Sequence, residues 1–271
     1  MNRKSACLIV LHCLCVFIFT ACATVPLTGR SQLLIIPDTT MLSMSFQQYD
    51  QFLKSNKMSG QSEKVHMVKR VGENIQRGVE SYFSSKGMSH LLKNYKWEFN
   101  LVESEEVNAW CMPGGKVVVY TGILPVAQGE EGLAVVMGHE IAHAIAKHGG
   151  ERMSQGLMVQ MGGVALSQAM KEKPQTTQAL WMTAYGVGSQ VGLMLPYSRL
   201  HETEADHLGL IFMSLAGYDP HSAVGFWERM AVVGGGKKPP QFLSTHPADT
   251  TRIRQIKKLL PEAMTYYKGT K

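Results

Sequence analysis

From Glu63 to Ser84 the apolar residues Val65, Val68, Val71, Ile75 and Val79, with Gly72 among them, return every three or four positions. That is the period of a helix with one buried face. Met41–Lys54, Pro220–Val233 and Thr250–Leu260 follow the same rule, and a further helix is predicted over Tyr197–Gly217. The period changes in the middle of the chain. Trp97–Val102 and Val107–Met112 read as short strands, Pro113-Gly114-Gly115 as a turn and Lys116–Tyr120 (KVVVY) as a third strand. The next stretch, Glu130–His148 (EEGLAVVMGHEIAHAIAKH), contains no Pro, is rich in Ala, Leu and Met, and is apolar on every side. It predicts a buried helix that Gly149-Gly150 should stop. The pattern as a whole predicts an α+β chain, mainly helical, with a small antiparallel sheet beside the Glu130–His148 helix.

Composition adds limits. The 271 residues can hold one large domain or two small ones, and 45% hydrophobic residues suffice for a sizeable core. The 27 Lys+Arg against 21 Asp+Glu give a net charge of +6, part of it from Arg3 and Lys4. With no basic run interleaved with aromatics, nucleic acid is not an expected partner. A mildly cationic surface near anionic lipid is the most this balance implies.

Residues 1–21 have the form of a targeting segment: Arg3 and Lys4 first, then apolar Leu8–Phe19, then Thr20-Ala21 before Cys22. Phe19-Thr20-Ala21-Cys22 resembles a bacterial lipobox, with Phe where Leu is usual, and this makes Cys22 the expected lipidation site. An uncleaved anchor is the alternative, since residues 5–29 carry no charge and come close to spanning a bilayer of about 30 Å. Either reading puts the remainder beyond the cytoplasmic membrane. No Asp follows Cys22, so the expected setting is the periplasmic side of the envelope, as a lipoprotein anchored in the outer membrane. The expected organisation is a signal peptide (1–21), a lipidated tether (22–40) and one domain (41–271). Cys7, Cys13 and Cys15 lie in the leader, which leaves Cys111 alone in the body and no internal disulfide to form.

The chemistry gathers in Glu130–His148. His139-Glu140-Ile141-Ala142-His143 is an H-E-x-x-H pattern, and residues four apart share a helix face, so the two imidazoles can bind one metal ion. Glu140 stands beside them as a general base for water. Two His and a Glu on an otherwise apolar helix need partners, and a zinc ion provides them. The longer zinc pattern is excluded because position 146 is Ala and 149 is Gly. His148, about 180° round the helix from His139, points away. A further ligand must come from elsewhere. Arg199–Asp206 (RLHETEAD) places Glu202 and Asp206 on one face, one for metal and one to orient a ligand histidine, while spacing leaves Glu204, His201 and His207 open.

H-E-x-x-H followed some sixty residues later by E-x-x-A-D resembles the gluzincin peptidases of the CAAX-prenyl endopeptidase and HtpX type. Asn108-Ala109-Trp110-Cys111-Met112-Pro113-Gly114-Gly115 is similar to that family's N-A-x-x-x-P-G-G strand and turn. Ser244-Thr245-His246-Pro247 with Arg252 is similar to its C-terminal H-P…R segment. With the leader, the arrangement resembles bacterial outer-membrane lipoprotein peptidases, including barrel-assembly-enhancing relatives. The resemblance spans residues 60–260 and implies a zincin-like metallopeptidase domain, Glu202 as third ligand of one Zn2+, and Asp206 behind a ligand histidine. Two roles stand for His246: stabilising the oxyanion, or swinging onto the metal and holding the enzyme off. The sheet edge at Asn108, Ala109 and Trp110 is a candidate for binding an extended peptide as an added strand.

Ser154–Met170 and Thr176–Leu195, divided by charged Lys171–Pro174, are almost free of charge and rich in Met, Ala, Gly, Val and Gln. They predict a helical hairpin that covers the active site, faces lipid or a partner, or lies in the core. Gln160, Gln168, Gln178 and Gln190 argue against a clean membrane span. Two functions are expected from these features. One is a zinc metalloendopeptidase that hydrolyses misfolded or misassembled bacterial envelope proteins. The other is a chaperone-like factor working with the outer-membrane assembly machinery, with proteolysis secondary.

Overall fold

The computed structural model describes residues 22–235 and 240–269. The expected signal peptide lies outside the described residues. The elements run β1 (Cys22–Thr24), β2 (Ser31–Leu33), α1 (Asp38–Ser55), α2 (Ser62–Ser85), β3 (Glu98–Val102), β4 (Ala109–Met112), β5 (Lys116–Tyr120) and α3 (Leu124–Ala127). They continue with α4 (Glu130–Ile145), α5 (His148–Met170), α6 (Gln175–Ser189), α7 (Leu195–Leu215), α8 (Ser222–Gly234), α9 (Gln241–Thr245) and α10 (Thr250–Met264). The chain divides into two compact units, one of residues up to 41 with 147–197, the other of 42–146 with 198–271.

The second of these holds the core. Val68, Val71, Ile75, Val79 and Phe83 form the buried stripe that the α2 periodicity predicts, and Gly72 makes room for the ring of Phe99 on β3. Val117, Val118 and Val119 of β5 are all fully buried because β5 is the central strand, covered on both faces, which turns the usual alternation into a continuous run. The sheet order is β3-β5-β4. β4 pairs antiparallel with β5 as a hairpin, whereas β3 pairs with it in parallel, so the sheet is mixed where a wholly antiparallel one was expected. The reason is the connection: β3 and β5 are not sequential, and the strand between them lies on the far side of β5. The turn works because Gly114 and Gly115 take positive φ, 86° and 83°, a region that L side chains avoid. At the start of β5, buried Lys116 pairs with Glu98 and lies over the rings of Phe46 and Tyr49.

In the other unit, residues 22–33 form a two-stranded antiparallel ribbon where an extended tether was expected. Arg30 joins it to α5 by a two-point ion pair with Glu151 (3.0 and 2.8 Å). Here α5 and α6 form the anticipated hairpin, held by the Tyr185 hydroxyl donating to the Val159 carbonyl at 2.8 Å. A π-helical turn, Gln190–Met194, carries the chain on into α7.

Candidate metal centre

α4 has the composition of a core element and is one. Every residue from Gly132 to Ile145 is buried, including His139, Glu140 and His143. It ends earlier than Gly149-Gly150 suggests: Lys147 adopts φ 57° and breaks the axis, and His148 begins α5 as a buried residue, outside the donor cluster. Opposite α4 runs α7. Gly138 and Gly209 let the two backbones touch, since a Cβ on Gly209 would lie 2.9 Å from the His139 amide nitrogen. That approach puts the α7 carboxylates within reach of the α4 imidazoles. Gly209→Ala is therefore expected to cost about 1–3 kcal/mol through overpacking and to lower metal content along with activity. Thermal melts and metal analysis of the purified variant check this, and unchanged values would refute it.

Four residues bring donor atoms together: His139, His143, Glu202 and His246, all within 4.8 Å of one another. His143 Nε2 lies 3.1 Å from His139 Nε2 and 3.2 Å from Glu202 Oε1. His246 Nδ1 sits 2.9 Å from each Glu202 oxygen and 3.2 Å from His139 Nε2. Asp206 reaches the other nitrogen of the same ring, with Oδ1 3.0 Å from His139 Nδ1. His201, Glu204 and His207 stand outside the cluster, and His207 instead meets Glu262 at 2.9 Å.

Arg252, named by the sequence only as part of a motif, organises this side of the site. Its Nε and Nη2 donate to the two oxygens of Asp206 (2.8 and 2.6 Å), and Nη1 lies 3.1 Å from Glu202 Oε2. The guanidinium stacks on Trp227, 3.3 Å from the ring centroid. Asp249 caps α10 by accepting from the Arg252 backbone N–H at 2.7 Å, which fixes where the side chain starts. The hint in the sequence was its place after His246-Pro247; its two carboxylate partners are some fifty residues away.

Burial sets the protonation states. It drives the His143 imidazole well below its ordinary range, into the neutral form a metal requires. Burial also raises the Glu140 carboxyl, as suits a proton acceptor, with the positive charge near His246 and His139 opposing. For Glu202 burial is outweighed by contacts with three imidazoles, and for Asp206 by the charge of Arg252, so both carboxylates are held low. The donor set fits a metal on its own chemistry. Three imidazole nitrogens and a carboxylate converge on one point, and buried Glu140 Oε1 has no hydrogen-bond partner among the described residues, with His246 Nε2 3.5 Å away.

The peptide-edge candidates lie at the start of β4 and just before it. β4 is an edge strand against that helix. Ala109 is buried and pairs with Val119, and Trp110 packs into Tyr49 and Phe52. The Asn108 side chain accepts from the Ala109 N–H. Their side chains are thus engaged, and only main chain is left to meet a peptide. Burial and the nearby Glu140 charge push the Cys111 thiol up, which removes it as a nucleophile.

Residues 70–260 match peptidase family M48. The chain belongs to that family. Membership gives it a zincin-like peptidase domain, and the donors found here suit the zinc of that family. It is 40% identical over 190 residues to the mitochondrial metalloendopeptidase OMA1 of Schizosaccharomyces pombe, covering 70% of this chain and 53% of that one. It is 30% identical over 256 residues to the human mitochondrial metalloendopeptidase OMA1, covering 92% and 48%. The chain thus spans about half the length of these relatives. The beta-barrel assembly-enhancing protease of Escherichia coli is more distant, 28% identical over 187 residues, covering 65% and 37%.

These findings correct the functional reading of the leader. The bacterial envelope role, the periplasmic and outer-membrane location, the lipoprotein assignment at Cys22 and the link to outer-membrane assembly machinery give way to relatives that are mitochondrial. A basic start, an apolar middle and a small-residue end report that a segment engages a membrane; they do not report which one.

Proposed function

We propose that this chain is a zinc endopeptidase of the OMA1 type, with the mitochondrial setting of those relatives, in which His139, His143 and Glu202 hold the metal and Glu140 is the general base. The observation that carries this is the convergence of donors from α4 and α7 beside a buried carboxyl oxygen, Glu140 Oε1, that has no hydrogen-bond partner among the described residues. Zinc, when bound, supplies a Lewis acid that acidifies water and polarises the scissile carbonyl. Glu140 takes the proton of the attacking water and delivers it to the leaving amine, and its raised affinity for protons suits both steps. Asp206 fixes the His139 ring through Nδ1, and Arg252 neutralises that carboxylate while steadying Glu202. An extended substrate segment adds to the main chain of β4 at Asn108–Trp110, which would make cleavage tolerant of sequence.

The position of His246 supports the second of its two roles. Its ring lies among the donors and on Glu202, which suits a fourth ligand that must withdraw before substrate is cut. His246→Ala should therefore keep zinc and raise peptide turnover several-fold; a loss of turnover would restore the oxyanion role.

Unfolded casein tests the proposal as a whole. The purified chain should cleave it, a chelator should stop the cleavage, and added zinc should restore it. A zinc-loaded protein that leaves casein and other denatured proteins intact would overturn the endopeptidase reading.

A further inference from the structure

α6 presents a physical problem. None of its 15 residues is buried. Helices in water draw most of their stability from packing an apolar face, and this one, though paired with α5, buries no residue fully. Its large exposed residues are apolar, where such a helix would need polar ones. Leu180 is 69%, Trp181 51% and Val187 60% exposed, and Val191, in the π-helical turn that follows, is 60% exposed. On α5, Met161 and Val164 are 56% and 66% exposed. From Gln175 to Ser198 there is no Asp, Glu, Lys or Arg, and none from Ser154 to Met170.

We propose that the α5–α6 hairpin is a membrane-seated element, its apolar side chains lying in the acyl-chain region of a lipid bilayer. Three observations select lipid over a protein surface. First, Leu180, Trp181 and Met182 are consecutive and all exposed, so they cover about 200° of the helix circumference. A protein groove covers one stripe of a helix; a helix that is apolar round most of its circumference needs an apolar solvent. Second, the chain before β1 is itself apolar, with no Asp, Glu, Lys or Arg from Ser5 to Ala21, and it enters this same compact unit at Cys22. A leader of that composition brings the unit to a membrane. Third, the only charges between the two helices are Lys171, Glu172 and Lys173, and the two lysines can reach lipid headgroups while their stems stay with the acyl chains.

The geometry also sets the depth. No helix among the described residues is long and apolar enough to cross a membrane. At 1.5 Å per residue α6 is roughly 22 Å long, short of the roughly 30 Å hydrocarbon core. Entry tip first would bury the three charges at the turn. The hairpin therefore lies along the interface of one leaflet, with Trp181 near the headgroup boundary.

The test uses the full chain, reconstituted from detergent into vesicles of phosphatidylcholine and phosphatidylglycerol with brominated acyl chains. The Trp181 contribution is isolated as the difference between wild type and Trp181→Phe. Bromolipid should quench that contribution by roughly half, as for a ring at the acyl boundary. A Leu180→Glu/Val187→Glu/Val191→Glu variant should lose the quenching while keeping its zinc content and casein cleavage, which shows that it is folded and that the leader alone does not produce the effect. Two results would overturn the proposal. One is a Trp181 component that bromolipid leaves untouched. The other is shielding of Trp181 without lipid, rising with protein concentration, which would assign the hairpin to a second copy of the chain. If the triple variant does not fold, the wild-type and Trp181→Phe pair still decides the matter.

Discussion

Glu140→Gln should leave the purified protein loaded with zinc and lower its turnover of casein by about 10²–10⁴-fold, the usual contribution of a positioned general base. Glutamine keeps the shape and the burial of the side chain but cannot accept a proton. Glu140 is absent from the converging donors, so the metal should stay, and removing a buried carboxyl should not weaken the fold. Metal analysis beside a casein assay reads both halves. Loss of zinc in this variant would make Glu140 a ligand, and an active variant would remove it from the chemistry.

Arg252→Met should be the most damaging change for stability, at about 3–5 kcal/mol, the range for breaking a buried ion pair from one side. Methionine keeps part of the packing on Trp227. It leaves Asp206, 7% exposed, and Glu202 facing each other without the cation that separates them. Metal affinity should fall too, because Asp206 would no longer be held against His139 Nδ1. Arg252→Lys should recover only part of the loss, since a single ammonium cannot engage two carboxylates and the indole face together. Denaturant melts of both variants, with and without zinc, measure this. A Lys variant equal to wild type would show that charge alone suffices.

The parts that could be read from the sequence are those whose cause is local. The face of α2, the run of valines in β5 and the turn at Gly114-Gly115 each follow from a few neighbouring residues. So does the pairing of His139 with His143 on one helix. What could not be read depends on contacts between distant segments. Spacing left Glu202 level with Glu204, His201 and His207; the approach of α7 to α4 at Gly138 and Gly209 separates them. An isolated glycine inside the α7 pattern was the available sign of that close approach. The parallel partner of β5 was hidden for the same reason. The break at Lys147 was missed because a left-handed lysine carries no mark in the sequence, whereas Gly149-Gly150 drew attention two residues too late. The short α9 and the inward place of His246 depend on Phe242 and Glu202, which no periodicity connects.

The donors come from three separated stretches of chain, so an unfolded copy offers the ion little beyond the pair on α4. The ion therefore binds the native state preferentially and adds to its stability by mass action. Copies made when zinc is scarce would open more often and fall to degradation sooner. The amount of this peptidase in a cell would then follow the supply of its metal, with no separate sensor required.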